Sequence, residues 1–221
     1  ICVAVASTAQ CETEAGLLRW AEQWREIRLA HLGIWSRFKI FDAAAASAMP
    51  ALRRYFGDWQ PLAQPDKGVG LLKAWRDAMH SGTDDGSLTA FGAILYSAVL
   101  PRIRTALTNE WRVSQPLPAT ALLLAWRPLL EPSFVDELLE MQVTPRLCEQ
   151  LARWPAQLST GAATPDVWLL PWRPLLPTGL APLADALRIK LAAVIASWDV
   201  ADEAASSACK DLLSPWADEL E

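Results

Sequence analysis

The chain has 221 residues and a net charge of −5, with 52% hydrophobic and 20% charged residues. That balance excludes a disordered polymer and leaves ample apolar surface for a buried core. The acidic excess argues against a general phosphate-backbone binder, which needs a basic face, although a local basic stripe remains compatible with it.

The first residues, "ICVAVASTAQ", carry neither an initiator Met nor a basic n-region, so they read as the interior of a longer protein and not as a signal peptide. Residues 1–45 form one expected segment, an N-terminal helical stretch. Its "LLRWAEQW", Leu17 to Trp24, is a weak first copy of a pattern that recurs downstream. Residues 46–221 form the second expected segment, a helical-repeat domain.

Two interleaved series of tryptophans organise that second segment. One closes short runs of the type "LLxxW", at Trp75, Trp126, Trp172 and Trp216. The other closes longer helical runs that begin near a proline or a basic residue, at Trp59, Trp111, Trp154 and Trp198. The first recurs at spacings of 51, 46 and 44 residues and the second at 52, 43 and 44. Matching periods in two series mean one supersecondary unit written several times, and a period in the forties suits helical solenoids. "LLAWRPLLEP" and "LLPWRPLLP", Leu123 to Pro132 and Leu169 to Pro177, are the same sentence twice. The first proline stops one short helix and the second starts the next segment, leaving a leucine pair to pack.

Inside each unit the pattern is helical. Phe134, Val135, Leu138, Leu139, Val143, Leu147 and Leu151 step mostly by threes and fours, one apolar stripe on a helix. Ser133, followed by Asp136 and Glu137, reads as its N-cap. Pro50, Pro101 and Pro145 interrupt helix-like runs, and proline in a helix interior costs ~3 kcal/mol unless the helix bends. A kink or a break is expected at each. No long alternation of period two occurs, so no sheet is expected. A buried Trp removes ~200 Å² from water, worth several kcal/mol at ~25 cal/mol per Å². The expected fold is all-α: stacked helical repeats, α-solenoid-like, with proline-kinked helices. Trp75, Trp111, Trp126, Trp154, Trp172 and Trp198 are expected as mostly buried wedges.

Chemistry is sparse. Cys2, Cys11, Cys148 and Cys209 form no CxxC site and read as reduced thiols. His31 and His80 stand far apart, and Asp84, Asp85 and Gly86 lie in a turn-rich stretch. No GxGxxG, GxxxxGK[ST], HExxH or GxSxG string occurs. The sequence therefore points to no enzyme and to no cofactor or metal. No apolar run reaches the ~18 residues that cross a bilayer.

The arrangement resembles the tuftelin-interacting protein family, whose members carry a GC-rich-sequence DNA-binding-factor-like domain. The resemblance rests on "DWQPL" at 58–62, "VLPRIRTALTNEW" at 99–111, "LLLAWRPLL" at 122–130, "VTPRLCEQLARW" at 143–154, "PWRPLL" at 171–176 and "KLAAVIASWD" at 190–199. It runs from about Met49 to Trp216, with Val200 where the family has Pro. It implies a nuclear pre-mRNA splicing factor active in spliceosome disassembly. The partners it implies are spliceosomal proteins and a DEAH-box RNA helicase engaged through a G-patch segment outside this chain. The chain itself would be the scaffold portion. A DNA- or RNA-binding transcription factor of the same domain family is the alternative; the acidic balance speaks against it.

The basic residues suggest a partner site. Arg53 and Arg54 follow Pro50, Arg102 and Arg104 follow Pro101, and Arg146 follows Pro145. Arg188 and Lys190 hold comparable places ahead of Trp198. Equivalent positions in stacked units would align these cations into a basic ridge. The plain reading is a solvated face with local ion pairs, and the sharper one a docking strip for an acidic protein surface or an RNA backbone.

Overall fold

The computed structural model describes residues 13–80, 86–156, 164–176, 181–198 and 202–217. Among the described residues every regular element is helical, and no strand occurs. The helices are α1 (Glu14–Ala30), α2 (Leu32–Trp35), α3 (Ile40–Tyr55), α4 (Val69–Met79), α5 (Ser87–Ile94) and α6 (Leu100–Thr105). They continue as α7 (Pro116–Trp126), α8 (Pro132–Leu138), α9 (Thr144–Arg153), α10 (Pro165–Leu169), α11 (Ala181–Ala196) and α12 (Glu203–Leu213). The chain divides into two compact units, Ile1–Asn109 with Ala125–Leu130, and Glu110–Leu124 with Glu131–Glu221. Helix α3 runs unbroken through residues 45 and 46.

In the first unit α1 packs on α4 and α3 on α5. Thr13 caps α1 by accepting from the Gly16 N–H at 3.2 Å. Its stripe of Leu17, Trp20, Ala21 and Trp24 is buried, and Trp20 meets Trp75 edge-on, 5.6 Å between centroids. Phe56, Trp59 and Trp126 form a second cluster with centroids 5.2–6.0 Å apart. Gly68, at φ +81°, closes against it: a Cβ there would lie 2.5 Å from the Phe56 ring, so only glycine fits. In the second unit α11 packs on α9, and Trp111 meets Trp172 edge-on at 5.0 Å.

The wedges behave as expected at five of the six named positions. Trp75, Trp111, Trp126, Trp154 and Trp172 are buried, as are Trp59 and Trp216. Trp198 is only half-buried. It follows the last turn of α11, where Ile195, Ala196 and Ser197 also face solvent, so less chain covers it. The leucine pairs Leu129–Leu130 and Leu175–Leu176 are buried after the "WRP" turns, and α7 stops at Trp126 ahead of one of them.

The prolines act differently from a simple kink. A π turn, Leu95–Val99, joins α5 to α6 just before Pro101, and another, Leu139–Val143, joins α8 to α9 just before Pro145. The Leu100 N–H bonds back to Leu95 and the Thr144 N–H to Leu139, five residues instead of four. Pro50 lies inside α3 with no such turn. Nor does Ser133 cap α8: Glu131 is the cap residue and Pro132 opens the helix. The N–H that Pro132 lacks is one the first turn leaves unpaired anyway. Cys148 and Cys209 are free, one exposed and one buried. Cys2, Cys11, Asp84 and Asp85 lie outside the described residues. No helix among those residues is long and apolar enough to cross a membrane.

Two consequences are measurable. The Trp126 indole N–H donates to the Pro65 carbonyl at 2.9 Å, whereas that of Trp75 is buried with no acceptor among the described residues. Trp126→Phe should therefore cost about 1 kcal/mol more than Trp75→Phe, the worth of one net hydrogen bond. Equal urea midpoints for the two variants would contradict this. Tyr55 donates to Glu14 Oε2 at 2.6 Å, and burial, then that bond, push its phenol well above its ordinary 10.0. The native state then holds the proton more tightly than the unfolded chain. This contribution is complete below about pH 10 and is lost as pH rises beyond it. Tyr55→Phe should flatten the alkaline limb of a stability-against-pH curve.

Candidate functional site

The last carbonyls of any α-helix have no partner within the helix. A cation placed there makes a charge-assisted bond and also meets the negative end of the helix dipole. The cations of the expected ridge use this chemistry repeatedly.

Arg53 sits in the last turn of α3 and is exposed. Its Nε donates to Ser97 Oγ at 2.9 Å, with Nη2 on the same oxygen. Ser97 lies within the Leu95–Val99 π turn. Arg102, one residue past Pro101, returns the contact: its Nη2 donates to the Gly57 carbonyl just after α3. The structure thus brings Arg53 and Arg102 to one junction, pinning α3 and α6 on both sides of the proline. Arg54 is exposed beside Arg53, and Arg104 is half-buried on α6.

In the second unit Arg146, one residue past Pro145, is half-buried. Its Nη2 donates to the Trp111 carbonyl at 2.7 Å, and its guanidinium stands 4.8 Å from the centre of the same indole. Lys190 on α11 reaches the end of α9, with Nζ 2.8 Å from the carbonyls of both Ala152 and Trp154. Arg188, exposed, turns to Asp185 at 3.3 Å on its own helix.

Arg102, Arg146 and Lys190 therefore share one job. Each holds a main-chain carbonyl at or near the tryptophan that closes an earlier helical run. Two further arginines of this kind escape the sequence pattern. Arg28 donates to the Ala78 and Asp77 carbonyls at the end of α4, both at 3.1 Å. Arg76 donates to the Pro128 carbonyl at 2.9 Å. The "WR" dipeptide shared by Trp75–Arg76 and Trp126–Arg127 was the available signal for the second of these.

No group of three or more His, Cys, Asp or Glu among the described residues could hold a metal. His31 is exposed, and the half-buried His80 places Nδ1 3.1 Å from Ser87 Oγ. An open cleft of about 410 Å³ between α3 and α5 is lined by Lys39, Phe41, Asp42, Gly86, Thr89, Ala90 and Ala93.

The clasp at Trp111 can be weighed against an ordinary surface pair. Arg146→Gln should lower stability by about 1–2 kcal/mol through loss of the carbonyl bond and the ring contact. Arg146→Lys should recover part of that. Arg188→Gln, which breaks an exposed pair within one helix, should stay within about 0.5 kcal/mol of the parent. Urea unfolding of the three variants checks the order, and equal losses at 146 and 188 would undo it.

Comparison with known proteins places the chain in a family. Residues 17–221 match the family model described as GC-rich sequence DNA-binding factor-like protein. Septin-interacting protein 1 of Drosophila melanogaster is 28% identical over 199 residues, 87% of this chain and 23% of that protein. Tuftelin-interacting protein 11 of Xenopus tropicalis is 27% identical over 181 residues, 79% of this chain and 21% of that protein. The Bos taurus protein of the same name is 28% identical over 183 residues, 80% and 21% respectively. The chain spans between a fifth and a quarter of the length of these curated relatives.

Proposed function

Because the chain belongs to the GC-rich sequence DNA-binding factor-like family over residues 17–221, we propose that it is a non-enzymatic helical scaffold of a nuclear pre-mRNA splicing factor. It acts through protein–protein contacts in spliceosome disassembly. The DEAH-box helicase is engaged by a G-patch segment elsewhere in the full protein, and this portion holds spliceosomal proteins. Its helices are stacked copies of one unit.

The observation that carries this reading is the family membership. It is supported by the names of two relatives, each after a protein with which that relative interacts. The surface supports it too. Helix α7 contains no charged residue, yet Leu117, Ala121 and Leu124 are exposed, at 68% and 42% for the two leucines. Their spacing puts them on one side of the helix. An exposed apolar stripe suits a protein partner and offers nothing to a phosphate backbone. The stacked-unit reading is supported by recurrence at 44 residues: Pro101 and Pro145, and Arg102 and Arg146, with a π turn ahead of each pair.

The ridge keeps a place in the proposal through Arg54 and Arg188, both exposed. Reversing Arg102 and Arg146 would break two clasps and confound folding with binding. Arg54→Glu with Arg188→Glu tests charge on the exposed surface, and Leu117→Asp with Leu124→Asp tests the apolar stripe. Each pair should be placed in the tagged full-length protein, which is then recovered from nuclear extract after nuclease treatment. The parent should bring down spliceosomal proteins, and the leucine pair should lose them with its circular dichroism unchanged. A parent that recovers none ends the splicing reading. Recovery that vanishes on nuclease treatment favours the nucleic-acid alternative.

A further inference from the structure

Residues 27–41 carry no acidic group, in a chain whose net charge is −5. They span the end of α1, the whole of α2 and the start of α3. Their cations are used differently. Arg28 is committed to the carbonyls that end α4. Arg37 and Lys39 are exposed, and neither holds a carbonyl or a carboxylate among the described residues. The Arg37 guanidinium stands 5.7 Å from the centre of the Phe38 ring, and Phe38 itself is 66% exposed. Lys39 is also out of the ordinary in its backbone, at φ 48° and ψ 46°. It is one of two non-glycine residues at positive φ among the described residues. That conformation suits glycine, and a long side chain there is strained. Lys39 precedes α3 as its cap residue, yet its side chain makes no capping bond. The strain is accepted without gaining a cap or an ion pair.

Lys39 stands at the mouth of the cleft between α3 and α5. A Cβ on Gly86 would lie 3.8 Å from the Phe41 ring, and twelve residues beyond Phe41 the Arg53 side chain meets Ser97. The two helical runs therefore lie side by side in one direction, and the cleft sits where both begin. Phe41, Ala90 and Ala93 give it an apolar wall, and Lys39, Asp42 and Thr89 give it polar edges. Its volume of about 410 Å³ is ample for one large apolar side chain. Neither helix closes its first turn with a side-chain cap. Two positive dipole ends thus add to the charges of Arg37 and Lys39.

We infer that this cleft seats an acidic peptide segment of a partner protein. An apolar side chain of that segment enters between Phe41 and Ala93, and carboxylates beside it meet Lys39 and Arg37. Lys39 keeps its strained conformation because the cleft needs its side chain, which glycine would not supply. Asp42 decides between two kinds of anion. A phosphodiester backbone carries a charge at every step and would have to pass the Asp42 carboxylate. It would also find only two uncommitted cations, where backbone binding draws on many. A peptide can leave the place opposite Asp42 uncharged, or offer it a main-chain N–H.

The probe is a short peptide with one central phenylalanine between glutamates, titrated into the isotope-labelled chain and followed by NMR. Amide shifts should concentrate in residues 39–42 and 86–93. Lys39→Gly should weaken the peptide by about fivefold or more, as loss of a charge-assisted bond does. Its urea midpoint should hold or rise, since glycine relieves the left-handed backbone. Ala93→Trp fills the cleft from an exposed position and should abolish binding with circular dichroism unchanged. No shift at millimolar peptide, or equal shifts when lysines replace the glutamates, would overturn the inference. So would a uridine oligonucleotide that moves these residues where the peptide does not. A lower midpoint for Lys39→Gly with unchanged affinity would show that the lysine serves the fold alone, and would overturn it equally.

Discussion

A helix that ends beneath other helices must find partners for its last carbonyls, since water cannot reach them and the helix supplies none. Much of what is specific about this chain follows from that demand. Glycine caps are one common remedy; here the carbonyls at Gly57, Trp111 and Trp154 are met by a long cationic side chain from a later helix. The donor in each of these three comes from downstream, whereas Arg28 and Arg76 reach forward, to the carbonyls of Asp77 and Ala78 and of Pro128. Indole N–H groups supplement it: Trp59 and Trp111 donate to Gln64 and Gln115 in the turns they open, and Trp35 reaches Met79. The tryptophans are thus both the bulk that fills the core and, in part, the donors that close its edges.

This construction explains why a chain of net charge −5 still spaces its arginines so regularly. A cation held on a carbonyl is committed geometrically, its head group fixed by the bond it donates. Charge regularity in a stack of helices is therefore weak evidence of a charged ligand. The uncharged α7 face is stronger evidence of a partner, because solvent gives no reason for leucines there.

Much of the architecture was legible in the residues alone. Trp59, Trp75, Trp111, Trp126, Trp154 and Trp172 recur too regularly, and cost too much in water, to be anything but wedges. "WRPLL" announced its own helix stop. What stayed hidden was conformational or relational. The π turns left no mark in the spacing, since the buried residues from Phe91 to Trp111 include steps of three, such as Phe91 to Ile94 and Leu95 to Ala98, beside the fours. Ser133 looked like a cap because serine is a good one, and Pro132 took the helix start one step earlier. Trp198 looked like its fellows, whereas its burial depends on how much chain covers the end of α11. The cations were found as positions, but their acceptors were not. A backbone carbonyl has no letter in the sequence, and only the packing of one helix on another says which carbonyl an arginine will meet.

The π turns also bear on how this lineage should be aligned. Geometrically such a turn is an α-helix that has kept one inserted residue. A relative lacking that residue would carry an ordinary helix with a three-residue step, as α11 does between Leu191 and Val194. The single-residue gap between the two belongs inside the helix, at Leu95–Val99 or Leu139–Val143, and not in the neighbouring loop where gaps are customarily placed. Moving it to the loop would put every column between the turn and the loop out of register by one, setting buried positions against exposed ones. The uneven distances between successive tryptophans, 52, 43 and 44 residues in one series, leave room for such a single-residue difference inside a helix beside differences in loop length.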